Sequence, residues 1–207
     1  MRGLALCAFC VLVSECARPA VIIGPSEFVP SAVSVPSDAR PVVACTPTQA
    51  EICFNAVDDN CNGVIDEGCG VHTGLLQFTV AWGSTAANVD LSVAVPPDGQ
   101  RVPDPNGGAS TSGFHLDREC PGEDACNGQN VENIYFDGST PPRGRYVVDI
   151  ALVDLHGSEP PVQVTFGARL GNRSVGFGVD LASGADSHRS FSFDLPEPGP
   201  SEPTARH

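Results

Sequence analysis

The sequence predicts a mainly β protein: an antiparallel β-sandwich of about seven strands, preceded by a small disulfide-rich metal-binding loop. Three observations carry that expectation. From about Gly74 almost to the end of the chain, apolar and polar residues alternate with a period of two, the spacing of strands with one buried face. Between the alternating runs stand short turns, Pro96-Pro97-Asp98-Gly99, Pro141-Pro142-Arg143-Gly144, Leu170-Gly171-Asn172-Arg173 and Ser183-Gly184-Ala185-Asp186, with no helix-length segment for parallel crossovers. Ahead of them Cys45, Cys53, Cys61 and Cys69 are evenly spaced, with acids and amides packed between the last three.

In chain order, Met1-Arg2 is followed by an apolar run from Gly3 to Val13, long enough for a signal-peptide core and too short to span a bilayer. Residues 1–16 are therefore expected to be a signal peptide and the protein to be exported. Of the 9 cysteines, Cys7, Cys10 and Cys16 fall in or at the end of this leader, and the even number that remains suits disulfides in an oxidising compartment. Val13-Ser14-Glu15-Cys16 resembles the lipobox of bacterial lipoproteins, departing from it at Glu15, where a small residue is usual. That resemblance implies lipidation of Cys16 and a membrane anchor; the alternative is ordinary cleavage and release. The expected location is thus the outer membrane or cell surface, as a lipoprotein, or the medium.

Residues 17–44 are rich in Pro, Val, Ser and Ala and read as a semi-extended tether. Flanking prolines argue against the short edge strands that Val21-Ile22-Ile23 and Val42-Val43 would otherwise suggest. Residues 45–70 form the Cys-rich motif. Counted from Asp58, alternate positions hold Asp58, Asn60 and Asn62, then Gly63, with the Val64 carbonyl and Asp66 further on. This is the front of an EF-hand calcium loop, in which alternate side chains converge on one ion and glycine permits the sharp turn. The closing glutamate is replaced by Cys69, the nearest substitute is Glu67, and no amphipathic helix flanks the loop. Disulfides would have to hold the ligands instead. Hard oxygen donors favour Ca²⁺ over zinc, which prefers sulfur and imidazole at closer cysteine spacing. A purely structural disulfide knot with solvated acids, and a transition metal, remain as alternatives.

The sandwich is expected over residues 71–196. Its inward positions are Leu76, Phe78, Val80 and Trp82; Val89, Leu91, Val93 and Val95; Ile134 and Phe136; Tyr146, Val148, Ile150 and Leu152; Val162, Val164, Phe166 and Ala168; Val175, Phe177, Val179 and Leu181; Phe191, Phe193 and Leu195. A long irregular loop from Asp98 to Asn130 interrupts them, with Cys120 and Cys126 spaced for a local disulfide. Residues 197–207 carry three prolines and no apolar pattern, the composition of a disordered tail.

Glu51-Ile52-Cys53-Phe54-Asn55-Ala56-Val57-Asp58-Asp59-Asn60-Cys61-Asn62-Gly63-Val64-Ile65-Asp66-Glu67-Gly68-Cys69 resembles the metal-binding motif of MopE-type bacterial surface proteins, whose usual form is Cys-Asn-Gly-x-Asp-Asp-Asn-Cys-Asn-Gly-x-x-Asp-Glu. Phe54-Asn55-Ala56 departs from it after the first cysteine. The resemblance implies a metal site in a secreted protein of myxobacterial type. Copper is associated with the family's namesake, but no histidine lies inside the motif here. A second resemblance covers the strands. Trp82, Asn88-Val89-Asp90-Leu91, Asn130-Val131-Glu132-Asn133-Ile134 and Arg143-Gly144-Arg145-Tyr146 are similar to the YfaP-like secreted β-sandwich domain, which implies a fold and an exported context only. Asp90 and Glu132 would then lie near one edge of the sandwich, where capping turns or pairing with arginines is the simpler role and a second cation the bolder one.

The 11 basic residues are all arginine and the formal charge is −14, a surface that repels nucleic acid and anionic lipid and attracts cations. Hydrolase motifs and nucleotide-binding loops are absent, and His115, Asp117 and Ser112 form only a polar loop cluster. The expected function is a non-catalytic surface or secreted module with a calcium loop, its partner a surface protein or glycan, and membrane contact only through Cys16. The competing expectation is a carbohydrate-active hydrolase using carboxylates of the 98–132 region such as Asp117 and Glu132.

Overall fold

The structure is a computed structural model describing residues 28–197, apart from 43–44, 48, 84–85, 107–111, 122–125 and 127–128. The leader, Cys16 and the chain beyond residue 197 lie outside the described residues. Among the described residues eleven strands follow one another: β1 Ala32–Ser34, β2 Arg40–Val42, β3 Leu76–Trp82, β4 Asn88–Val95, β5 Gln100–Val102, β6 Phe114–Arg118, β7 Asn130–Phe136, β8 Gly144–Asp154, β9 Val162–Leu170, β10 Arg173–Leu181 and β11 His188–Leu195. A single 3₁₀ turn, Gly184–Asp186, precedes β11, and no α-helix occurs among the described residues.

The strands form two antiparallel sheets in the orders β1-β11-β8-β4-β5 and β2-β10-β9-β3-β7-β6. Facing residues interdigitate into one core in which Phe78, Tyr146, Phe166, Phe191 and Phe193 are fully buried. Burial of each such side chain contributes about 2 kcal/mol. The alternation expected from the sequence places these residues inward almost throughout. Val175 is the exception, lying on the edge-ward end of β10 and 41% exposed.

Two regions differ from expectation. Within the Pro-rich stretch 17–44, β1 pairs with β11 (Val33 opposite Phe193) and β2 with β10 (Pro41 opposite Phe177). Edge strands need hydrogen bonds on one side only, which is why proline is tolerated there. Ion pairs reinforce the strap: Arg40 is bidentate to Asp180 at 2.8 and 3.0 Å, and Arg189 meets Asp38 at 2.8 Å. The segment therefore covers the side of the sandwich where β10 passes into β11. Similarly, the loop from Asp98 to Asn130 contributes β5 and β6.

β3 carries the fold's main departure from a half-exposed strand, for all seven of its residues are buried. Leu76, Phe78, Val80 and Trp82 face the core, while Gln77, Thr79 and Ala81 face away from it and lie beneath the Cys-rich motif.

Candidate metal centre

Two interleaved disulfides, Cys45–Cys61 and Cys53–Cys69, cross-link the motif, each spanning 16 residues, and Cys120–Cys126 closes the local loop expected for it. By chain-entropy arguments a closed loop of that length stabilises the fold by about 3 kcal/mol. No helix is needed to hold the turn.

The motif is seated on the outer face of the six-stranded sheet rather than standing ahead of it. Ile65 is fully buried and its carbonyl accepts the Gln77 amide at 3.1 Å; Ala56, Ala81 and Val131 form a small second core with Phe54 at its side. Arg118 lies over the Phe54 ring, 4.7 Å from its centroid. Two glycines permit the close approach. A Cβ at Gly167 would lie 2.2 Å from the Ala56 carbonyl oxygen, and one at Gly63, whose φ is +84°, would lie 2.4 Å from the Asn172 carbonyl oxygen.

Inside the loop, Asp58 accepts the N–H groups of Asn62 (3.1 Å) and Gly63 (2.9 Å) and the Ser174 hydroxyl of β10 (2.6 Å). Asn60 Oδ1 and Asn62 Oδ1 each accept the N–H two residues on, from Asn62 and Val64 respectively. These turns aim both amide NH₂ groups at one atom, Glu67 Oε1, Asn60 at 2.6 Å and Asn62 in a shorter contact. Asp58, Asn60, Asn62 and Glu67 thus cluster on one turn of the loop, with the Val64 N–H bonded to Asn62.

Asp66 does not join them. It is wholly buried and its two oxygens accept the N–H groups of Asn55 (3.2 Å) and Ala56 (3.0 Å), tying the front of the loop to its back. Burial raises its pKa, and those N–H groups oppose the shift. Asp59 is likewise occupied, accepting Ile52 N–H and the Asn55 amide.

The residue that sequence reasoning passed over is Glu51. Its Oε1 accepts the N–H groups of Asp59 and Asn60, both at 3.1 Å, so it stands against the backbone of the ligand turn. Its pKa is pushed up to about 7, mainly by burial; the Asn60 N–H works against this, and the charges of Glu67, Asp59 and Asp58 add to it. Glu51 Oε2 and Glu67 Oε2 are both buried without a hydrogen-bond partner among the described residues. Orphaned carboxylate oxygens are costly in a metal-free site and are relieved by a cation. The donor set therefore fits a metal. Among the described residues no three carboxylates of the loop come within 4.8 Å of one another, so amides complete the set. Arg169 on β9 supplies part of the counter-charge, since Glu67 and Asp58 act on it electrostatically.

Elsewhere, Asp117 accepts His72 N–H at 2.7 Å and pairs with its ring, and accepts Asn133 Nδ2 at 3.2 Å. Asn133 also bonds Gln77 and Thr79 beneath the motif. Glu132, its neighbour on β7, points the opposite way and accepts Leu91 N–H of the other sheet at 2.7 Å. Asp117 and Glu132 consequently lie on opposite faces of the six-stranded sheet and do not share a cleft. His115 pairs with Asp137 at 2.9 Å and packs on Tyr135.

The family model Cu-binding_MopE, described as "Putative metal-binding motif", matches residues 43–67. The match ends at Glu67, so it takes in Glu51 and every side chain of the ligand turn. Comparison with curated proteins and with solved structures finds no match.

Proposed function

We propose that the chain is an exported, non-catalytic surface or secreted module in which the disulfide-crossed loop binds one Ca²⁺. The observation that carries this is the pair of buried, unpartnered carboxylate oxygens, Glu51 Oε2 and Glu67 Oε2, beside Asp58, Asn60 and Asn62. All are hard donors, and neither a thiolate nor an imidazole lies among them, which favours calcium over zinc or copper. Asn60 and Asn62 each have an amide oxygen with a second lone pair beyond its turn hydrogen bond, and the Val64 carbonyl completes the set. Asp66 is left out of it, because it is wholly buried and turned to the backbone of Asn55 and Ala56 rather than to the Asn60–Asn62–Glu67 cluster.

Three disulfides support export. Cys16 decides between a lipid anchor and release. The strand residues shared with YfaP-like domains support that reading of the sandwich through the work they do: Trp82 Nε1 donates to Ala87 O at 2.9 Å across the β3–β4 turn, and Tyr146 Oη donates to Pro142 O at 2.5 Å. A surface protein or glycan is the partner we propose, and the separation of Asp117 from Glu132 favours binding over hydrolysis.

Thermal unfolding of native oxidised protein in EDTA and in CaCl₂ is the test. A ligand at a hundred times its Kd stabilises by about 2.7 kcal/mol, a Tm rise of several degrees for a chain of this size. Glu67→Gln and Asp58→Ala are expected to remove the rise, and the native mass to begin at or near Cys16. Identical Tm values in both solutions, or a mass beginning at Met1, would refute the respective half of the proposal.

A further inference from the structure

We propose that Asp90, Glu119 and Glu132 form a second calcium site, at the edge of the sandwich and separate from the Cys-rich loop. One carboxylate oxygen from each lies within 4.8 Å of the others. They come from three places: Asp90 from β4 of the five-stranded sheet, Glu132 from β7 of the six-stranded sheet, and Glu119 from the residue before the Cys120–Cys126 disulfide. A cation here joins both sheets and the looped-out disulfide.

The position of Glu132 follows from the sheet register. β5 pairs with β4 only over Val93–Val95, so the Leu91 N–H further along finds no strand on that side and donates to Glu132 Oε2 at 2.7 Å. The carboxyl group is thereby fixed between the sheets with only 1% of the residue exposed. Its other oxygen, Oε1, is buried and finds no hydrogen-bond partner among the described residues. Asn88 Oδ1 is in the same condition, and the Asn88 side chain hydrogen-bonds Asp90.

An acidic cluster alone signifies little, but a buried carboxylate oxygen aimed into one without a donor needs a positive charge or a proton. Burial is the main cause that pushes the Glu132 pKa up to about 10; the negative charges of Glu119 and Asp90 and a carboxyl–carboxyl hydrogen bond with Glu119 add to it, and the Leu91 N–H works against it. Three carboxylates and an amide oxygen make a hard, flexible donor set suited to Ca²⁺. Cys120 and Cys126 are oxidised and offer no thiolate.

The test is calorimetric titration of the oxidised, EDTA-stripped chain with CaCl₂. Wild type is expected to take two ions, Asp58→Ala to lose one, and Glu132→Gln to lose the other. Should Glu132→Gln fail to fold, Asp90→Asn and Glu119→Gln, nearer the surface, are expected to weaken the second ion at least tenfold. If the Cys-rich loop binds nothing, wild type takes one ion that Asp58→Ala keeps and Glu132→Gln loses, so the two sites fail separately. Equal calcium uptake by wild type, Asp90→Asn and Glu119→Gln would overturn the proposal and leave only a protonated carboxyl cluster.

Discussion

At the scale of single residues, the site is decided by which part of the loop each carboxylate is turned towards: Asp58 to the Asn62–Gly63 turn, Asp66 to the backbone of Asn55 and Ala56. The clustering of Asp58, Asn60, Asn62 and Glu67 was legible in the sequence because alternate spacing after an aspartate and before a glycine is a local pattern. Asp66 fits the same pattern yet serves the backbone of Asn55 and Ala56, a contact that no spacing rule reveals. Glu51 was illegible for the converse reason: its place in the site depends on the crossing of Cys45–Cys61 with Cys53–Cys69, and two interleaved bridges are one of three pairings the spacing allows. Glu51 also gives the site a pH signature. Its folded pKa of about 7 exceeds the ordinary 4.5, so between those values the folded chain holds a proton that the unfolded chain has released. Glu132 extends the same effect towards pH 10. The stability that these two groups contribute to the metal-free protein is thus expected to be fully present below about pH 4.5 and to be lost as the pH rises, the Glu51 share by pH 7, while Asp38 and Asp194, held low by their arginine partners, act the opposite way only in stronger acid. Urea unfolding in EDTA at a series of pH values measures this. Glu51→Gln is expected to flatten the decline between pH 5 and 7, and a stability that rises across that window would contradict the assignment.

At the scale of elements, period-two alternation identified the inward face of every long strand but could not say what covers the outward face. Gln77, Thr79 and Asn133 look solvated in sequence, being polar residues at alternate positions. In the fold they form a buried network under Ile65 O, because the motif folds back over β3 and β7. The signal was the glycine at Gly167, where a side chain would strike the Ala56 carbonyl. Gly167→Ala is expected to cost about 1–3 kcal/mol by overpacking and to weaken calcium binding by lifting the loop. Gly83→Ala serves as its control, since a Cβ there meets nothing within 4 Å. Equal unfolding midpoints for the two variants in urea would show that the loop is not seated as described. β1 and β2 escaped the sequence reading because strap strands of three residues have no periodicity to detect, and prolines masked them.

Across the whole molecule, a strap, a disulfide-crossed loop and a sandwich share one set of contacts. The loop is a cover for the six-stranded sheet, held by Ile65, by the Ser174–Asp58 hydrogen bond and by the Arg118–Phe54 contact. Calcium in that loop would tighten the cover against β9 and β10 and has no helix pair to open, so stabilisation is the expected consequence. With 25 acidic residues against 11 basic ones, neutralising carboxylates of the loop relieves part of the chain's self-repulsion. The most direct measurement is anomalous scattering from crystals grown with calcium. The account predicts a calcium peak bounded by Asp58, Asn60, Asn62, Glu67 and Glu51; a loop free of anomalous signal at saturating calcium, with Glu51 Oε2 and Glu67 Oε2 still without a partner, would contradict it.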